Sequence, residues 1–183
     1  MHNQNIQNRK TMRLKNYDYN QSGAYFITIC IQQRECLLGN ITNGMLQLNE
    51  YGEIVNKIWS ELPKNFQNID IDAAVIMPNH FHGIVINFDR NISTQNSTIY
   101  KQEPPLFYQK KTKLGKIIAY FKYQTTKLIN QKRTMEGVRV WQRNYYDHII
   151  RSQESLEILR KYIIENPLRW TTDQLHPHNP SKW

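Results

Sequence analysis

Apolar residues recur along this chain with two different periods, and the switches between them lay out the elements. Tyr25 to Gln32 is an apolar run of strand length. From Asn49 to Leu62, residues Tyr51, Ile54, Val55, Ile58 and Leu62 fall at helical spacing, and Pro63 is expected to end that helix. Asp70–Met77 and His80–Asn87 are two strand-length segments joined at Pro78-Asn79. They predict a hairpin whose apolar residues occupy both faces, as in well-covered strands. Residues 89–107 are polar and predict a mobile loop. Thr112 to Asn130 returns to helical spacing, with Leu114, Ile117, Ile118, Phe121, Thr125 and Leu128 on one face. Lys113, Lys116, Tyr120, Tyr123 and Lys127 line another face of the same helix. Arg139 to Tyr146 predicts a further strand, and Ser152 is placed as the N-cap of a last helix that stops near Pro167.

The resulting order, βαββαβα, predicts an α+β fold with one antiparallel sheet and helices packed on it in a ferredoxin-like layout. At 183 residues the chain is expected to be a single domain, with residues 1–20 a basic N-terminal arm and 171–183 a C-terminal tail. No internal repeat interrupts it.

Charge changes the picture by pointing to a partner. The formal net charge is +9, and residues 1–100 are balanced at 8 basic against 8 acidic side chains, whereas 101–183 hold 16 against 7. No acidic residue occurs between Pro104 and Met135, where Lys110, Lys111, Lys113, Lys116, Lys122, Lys127, Lys132 and Arg133 cluster. Such a patch neutralises phosphates and implies a polyanionic partner. Lysines interleaved with Tyr120 and Tyr123 also suit a surface that stacks exposed bases, although an ordinary solvated face has the same composition. The two cysteines, Cys30 and Cys36, match no zinc-knuckle spacing and are expected to be packing thiols of a reducing compartment. With no apolar run of membrane-spanning length and no apolar N-terminal signal, a cytoplasmic protein without membrane contact is expected.

The candidate chemistry lies in Met77-Pro78-Asn79-His80-Phe81-His82-Gly83. Alternate strand residues share a face, so His80 and His82 point the same way and suit a shared metal ion. Two histidines at a strand mouth, one packed and one wet, fit the H-x-H equally well. On the last helix Tyr162 and Asn166 stand four residues apart and stack one turn from each other. That pairing suits a nucleophile beside an oxygen ligand, or a packed tyrosine with a capping asparagine. Tyr120 and Tyr123 are rival nucleophiles. His176-Pro177-His178 is a second H-x-H in a Pro-broken tail, expected to be exposed. His148 beside Asp147 is taken as a strand-end contact, and Trp141, Arg143, Tyr145 and Tyr146 are open to core or DNA roles.

Taken together, the H-x-H strand, the Tyr-x-x-x-Asn helix and the basic body resemble the HUH single-tyrosine transposases, and within them the bacterial REP-associated tyrosine transposases. The resemblance extends to Arg13-Leu14-Lys15-Asn16-Tyr17-Asp18-Tyr19, Gly23-Ala24-Tyr25-Phe26, Val140 through Arg151 and Tyr162 through Trp170, in the family's order. It implies that His80 and His82 hold Mg²⁺ or Mn²⁺, with Asn166 as third ligand where insertion-sequence relatives carry glutamine. It also implies that Tyr162 attacks a phosphodiester of single-stranded DNA, leaving a 5′-phosphotyrosine and a free 3′-OH. The implied partner is single-stranded DNA bearing a hairpin, a REP-like repeat. Contacts are expected from Arg13, Lys15, Lys113, Lys116, Tyr120, Tyr123, Lys127 and Arg143. The protein would act as a monomer or a homodimer. A hairpin-binding protein that lost cleavage, and a replication-initiator or relaxase-type nickase, are the alternatives. A hydrolytic zinc enzyme is disfavoured, because no further His or Asp follows His82 at ligand spacing.

Overall fold

The structure is a computed structural model that describes residues 22–88 and 114–179. The N-terminal arm with Arg13 and Lys15, the 89–107 loop and Lys113 lie outside the described residues. A four-stranded antiparallel sheet is built from β1 (Gly23–Cys30), β4 (Ile69–Met77), β5 (His80–Asn87) and β6 (Tyr146–Ile150), in the order β4-β5-β1-β6. This is the expected ferredoxin-like arrangement, with β5 and β1 at its centre. A separate ribbon, β2 (Gly39–Thr42) and β3 (Met45–Leu48), precedes α1 (Glu50–Ser60) and the short α2 (Leu62–Asn65). The remaining helices are α3 (Leu114–Lys132) and α4 (Gln153–Glu165), the latter running into a 3-10 helix over Asn166–Thr172.

The two sheet faces carry different cargo. Tyr25, Ile27 and Ile29 of β1 and Phe81 and Val85 of β5 pack against Val55, Trp59, Ile117 and Phe121, which seats α1 and α3 on one face. Ile84, Val75 and Met77 turn the other way and meet Ile163 and Trp170, with Ile41 and Leu46 of the β2–β3 ribbon beside them. A bulge between Ile71 and Ala74 shifts the alternation of β4, so both of its faces become apolar. Gly83 is needed because a Cβ there would lie 2.6 Å from Trp59 Cζ2 and 2.7 Å from Phe81 Cζ.

Local signals account for most boundaries. The Asn49 side chain accepts from the Tyr51 and Gly52 amides at 2.9 and 3.0 Å and caps α1, and Ser152 Oγ accepts from Ser155 N at 3.1 Å to cap α4. Pro63 does not simply end the helix; it sits in the first turn of α2, where its missing N–H costs nothing. The β2–β3 ribbon turns at Asn43-Gly44, both at positive φ, the Asn-Gly pair that favours a tight hairpin.

The strand expected over Arg139–Tyr146 is a correction. Ile31 bridges Trp141, whereas Thr28 already pairs with Tyr146, so three steps along β1 face five along the partner. Two residues are therefore extruded as a bulge around Arg143-Asn144, and regular pairing runs over Tyr146–Ile150 instead. Trp141 is buried and its Nε1 donates to Thr125 Oγ1 at 2.8 Å, which makes it a core residue. Cys30 is buried as a packing thiol, but Cys36 is exposed. Among the described residues no helix is long and apolar enough to cross a membrane.

Candidate metal and tyrosine site

His80 and His82 stand on the β5 face opposite α1 and α3, side by side with ring centroids 4.6 Å apart. Both are buried. His82 stacks on Phe26, centroids 5.2 Å apart and planes 22° off parallel, and its Nδ1 lies 2.7 Å from Thr28 Oγ1. Its Nε2 faces the Tyr162 hydroxyl at 3.4 Å. Burial pushes the His82 pKa down to about 3. His80 is driven well below its ordinary range by burial and then by His82. Both imidazoles are thus neutral, the state in which they can ligate.

Asn79 decides which nitrogen of His80 is available. Its Nδ2 donates to Leu175 O at 2.7 Å and to Arg34 O at 3.3 Å, and carbonyls can only accept, so the amide oxygen must face His80. His80 Nδ1 then donates to Asn79 Oδ1 at 2.7 Å, which leaves the lone pair on Nε2.

The facing wall comes from α4 and the 3-10 helix behind it. Asp72, in the β4 bulge, binds Arg160 through both carboxylate oxygens at 2.9 and 2.5 Å and pins α4 to the sheet edge. Tyr162, two residues on, is 37% exposed, so its ring lines the site while solvent reaches it. Burial raises its phenol pKa, with Asp173 acting the same way; Asn166 and Arg169 oppose. The 3-10 helix returns Asp173 to the sheet, where its Oδ2 lies 3.9 Å from His80 Nε2. Asp173 Oδ1 accepts from Leu175 N at 2.6 Å, and Leu175 is the residue tethered by Asn79. Burial also raises the Asp173 carboxyl above its ordinary value, against the Leu175 amide and Asn166.

Ligand atoms of His80, His82 and Asp173 all lie within 4.8 Å of one another. Asn166 joins them from the end of α4, and its buried Oδ1 and the buried Nε2 of His80 have no hydrogen-bond partner. Two orphaned lone pairs beside a carboxylate and a second imidazole are the donors a divalent cation satisfies, so these residues fit one. The mixed nitrogen and oxygen set is compatible with Mg²⁺ or Mn²⁺. A cavity of ≈ 530 Å³ opens on the cluster, lined by Phe26, Thr28, His82, Tyr146, Tyr162 and Asp173 among others.

Asp173 is the site residue that the sequence reading left out, as part of a tail. The other expected positions divide. His80, His82, Tyr162 and Asn166 come together. Lys116, Tyr123 and Lys127 are exposed on α3, across the sheet from the cluster, and Arg143 is exposed in the bulge. Tyr120 packs edge-on against Phe66, with centroids 5.3 Å apart. In the tail, His178 is exposed, while His176 packs on Trp170 at 4.6 Å.

No family model matches the chain. An uncharacterised protein of Haemophilus influenzae is 40% identical over 177 residues, spanning 96% of this chain and 97% of that protein. Among solved structures, a REP-associated tyrosine transposase bound to a REP hairpin is similar with a TM-score of 0.57 at 16% identity, covering 86% of this chain and 73% of that one. The fold is therefore shared with that transposase.

Proposed function

We propose that this chain, which belongs to one family with the Haemophilus influenzae protein, is a metal-dependent enzyme that nicks and rejoins single-stranded DNA beside a hairpin. One observation carries the reading: the Tyr162 hydroxyl meets His82 Nε2 at 3.4 Å at the mouth of the cavity where His80, His82 and Asp173 converge. A nucleophile poised at a cation site is what phosphodiester transfer needs. The fold it shares with a transposase bound to a REP hairpin supports a DNA hairpin as partner.

His80, His82, Asp173 and the Asn166 oxygen are assigned as the ligands. A bound divalent ion supplies charge neutralisation at a non-bridging phosphate oxygen. Tyr162 is assigned as the nucleophile. Its phenolic oxygen attacks phosphorus, the P–O3′ bond breaks, and the 3′ oxygen departs and takes up a proton. The 5′ phosphate remains esterified to the tyrosine, and the phenol proton passes to the solvent that reaches the ring. Attack by a 3′-OH on this ester reverses the step and reseals a strand without an external energy source. Phe26 and Thr28 hold the His82 ring, and Asn79 holds His80, so the ligands are in place before the substrate arrives. Lys116, Tyr123, Lys127 and Arg143, with Arg13, Lys15 and Lys113, supply phosphate and base contacts in this reading.

The test is a covalent adduct. A labelled DNA hairpin with a single-stranded 5′ flank, incubated with Mn²⁺, should give a protein–DNA band that survives denaturing electrophoresis. Tyr162→Phe should abolish the band while binding stays within about twofold, because only the hydroxyl is lost. A surviving adduct in Tyr162→Phe, or none from the native protein on any hairpin, rejects the proposal; the second outcome leaves a hairpin-binding protein.

A further inference from the structure

The bulge beside β6 is an expensive feature without a part in the chemistry so far. Lys122 reaches from α3 and donates to the carbonyls of Gln142, Arg143 and Asn144 at 2.5, 3.0 and 3.4 Å. One ammonium thus holds three successive carbonyls that the sheet no longer pairs. Burial drives its pKa down to about 8, the cost of placing an amine there. A bulge fixed in this way gives its side chains a set direction, and bulges beside active sites commonly serve to re-aim side chains.

The bulge encloses a cavity of ≈ 180 Å³ between itself and β1. Thr28 and Tyr146 line both this cavity and the one that opens on Tyr162, so the two adjoin. The small cavity has Cys30 in its wall, with a thiol whose pKa burial raises to about 11, keeping it neutral. Asn144 contributes an exposed amide, Gln142 an amide whose Nε2 donates to Ile31 O at 3.3 Å and whose oxygen remains to accept, Tyr146 a ring, and Arg143 an exposed cation, while Tyr145 packs against the core behind; no lining residue is acidic. Past Lys122, a third cavity of ≈ 290 Å³ lies against α3, lined by Tyr123, Lys127 and Arg139 and again without an acidic residue. Tyr123 is 64% exposed there. The bulge cavity and the α3 cavity flank Lys122, which lines the second and bonds the Gln142 carbonyl that borders the first.

We propose that the bulge pocket binds one nucleobase of the single-stranded DNA next to the scissile phosphate, and that the strand continues around the β6 edge to Tyr123 and Lys127. This rests on the reading of the chain as a DNA-nicking enzyme. An amide pair can meet the hydrogen-bonding edge of a base, a tyrosine can stack on its face, and a neutral thiol tolerates its apolar surface. Arg143 at the rim takes the adjoining phosphate. Gln142 and Asn144 are specificity-determining residues in this picture, and Lys122 is a positioning residue that holds them.

The experiment reads binding without cleavage. Tyr162→Phe protein is titrated by anisotropy against a labelled DNA hairpin with a thymidine flank, in which one abasic step is moved through the flank. One position should lose affinity about tenfold, the scale of one lost stacking and recognition contact. In Asn144→Ala, and separately in Lys122→Met, the same abasic step should cost less than about twofold, as a double-mutant cycle requires for coupled groups. Asn144 is exposed, so its variant decides the matter even where Lys122→Met fails to fold. A flat scan, or a penalty that survives both substitutions, overturns the pocket. Absence of any adduct from the native protein rejects the nicking reaction instead, and the scan still decides whether the bulge holds a base.

Discussion

Removing the Asn79 side chain tests whether the site is organised from behind its ligands. Asn79 is almost wholly buried and serves three partners: the His80 Nδ1 proton, the Leu175 carbonyl and the Arg34 carbonyl. In Asn79→Ala all three lose their partner, and each buried polar group left so costs about 1–3 kcal/mol unless water fills the gap. A loss of roughly 3 kcal/mol in unfolding free energy follows at the low end. The effect on the metal site is separate. Without the acceptor, His80 can carry its proton on Nε2, which removes a lone pair from the cluster, and Leu175 no longer anchors the loop of Asp173. Outer-shell partners of metal-bound histidines are worth about 10–100-fold in affinity. Mn²⁺ affinity, read by the paramagnetic resonance of free Mn²⁺, should fall by that factor in protein that is still folded at low temperature. Asn79→Asp separates the two roles, because it keeps an acceptor for His80 but sets a carboxylate against two carbonyls. It should lose stability while keeping Mn²⁺ affinity closer to native than Asn79→Ala does. Native Mn²⁺ affinity in folded Asn79→Ala would refute the reasoning, since the tautomer and the tether would then not matter to the site.

Three further outcomes are expected. Asp173→Asn should weaken Mn²⁺ binding by about tenfold or more, yet not lower the thermal midpoint in EDTA, because burial of the carboxylate outweighs the Leu175 amide, Asn166, His176 and Arg34 that favour its charge; a lower midpoint in EDTA would make Asp173 structural. Gly83→Ala should cost about 1–3 kcal/mol in urea unfolding, from overpacking against Trp59 and Phe81, and a native midpoint would show that the Trp59 ring gives way freely. The Arg160 hydrogen bonds hold the Asp72 carboxyl below its ordinary pKa, so its stabilisation is complete above the usual carboxylate range and is lost as pH falls through the lower folded value. Asp72→Asn should therefore unfold more easily than native protein at neutral pH, with the difference shrinking in strong acid; a constant difference across the acid limb would contradict this.

What could be read from the sequence follows the range over which each feature is determined. His80 and His82 share a face because strand side chains alternate, and Tyr162 and Asn166 meet because of helical pitch. Both are fixed by a few residues, so spacing revealed them. The caps at Asn49 and Ser152 are equally local. Asp173 is different. It reaches His80 only because α4 is pinned by Asp72, a 3-10 helix turns the chain back, and Asn79 grips Leu175 from 96 residues away. No spacing rule links Asp173 to His82, so the sequence alone shows no acid at ligand spacing after the histidines. The bulge at Arg143-Asn144 was concealed for a related reason. Val140, Trp141, Tyr145 and Tyr146 suggest a strand, and only the pairing with β1 and the reach of Lys122 show two residues extruded from it. His80, His82, Tyr162 and Asn166 thus lie on short-range periodicity. Asp173, which completes the cluster, and Asn79 and Lys122, which hold side chains and backbone around it, depend on contacts between distant segments.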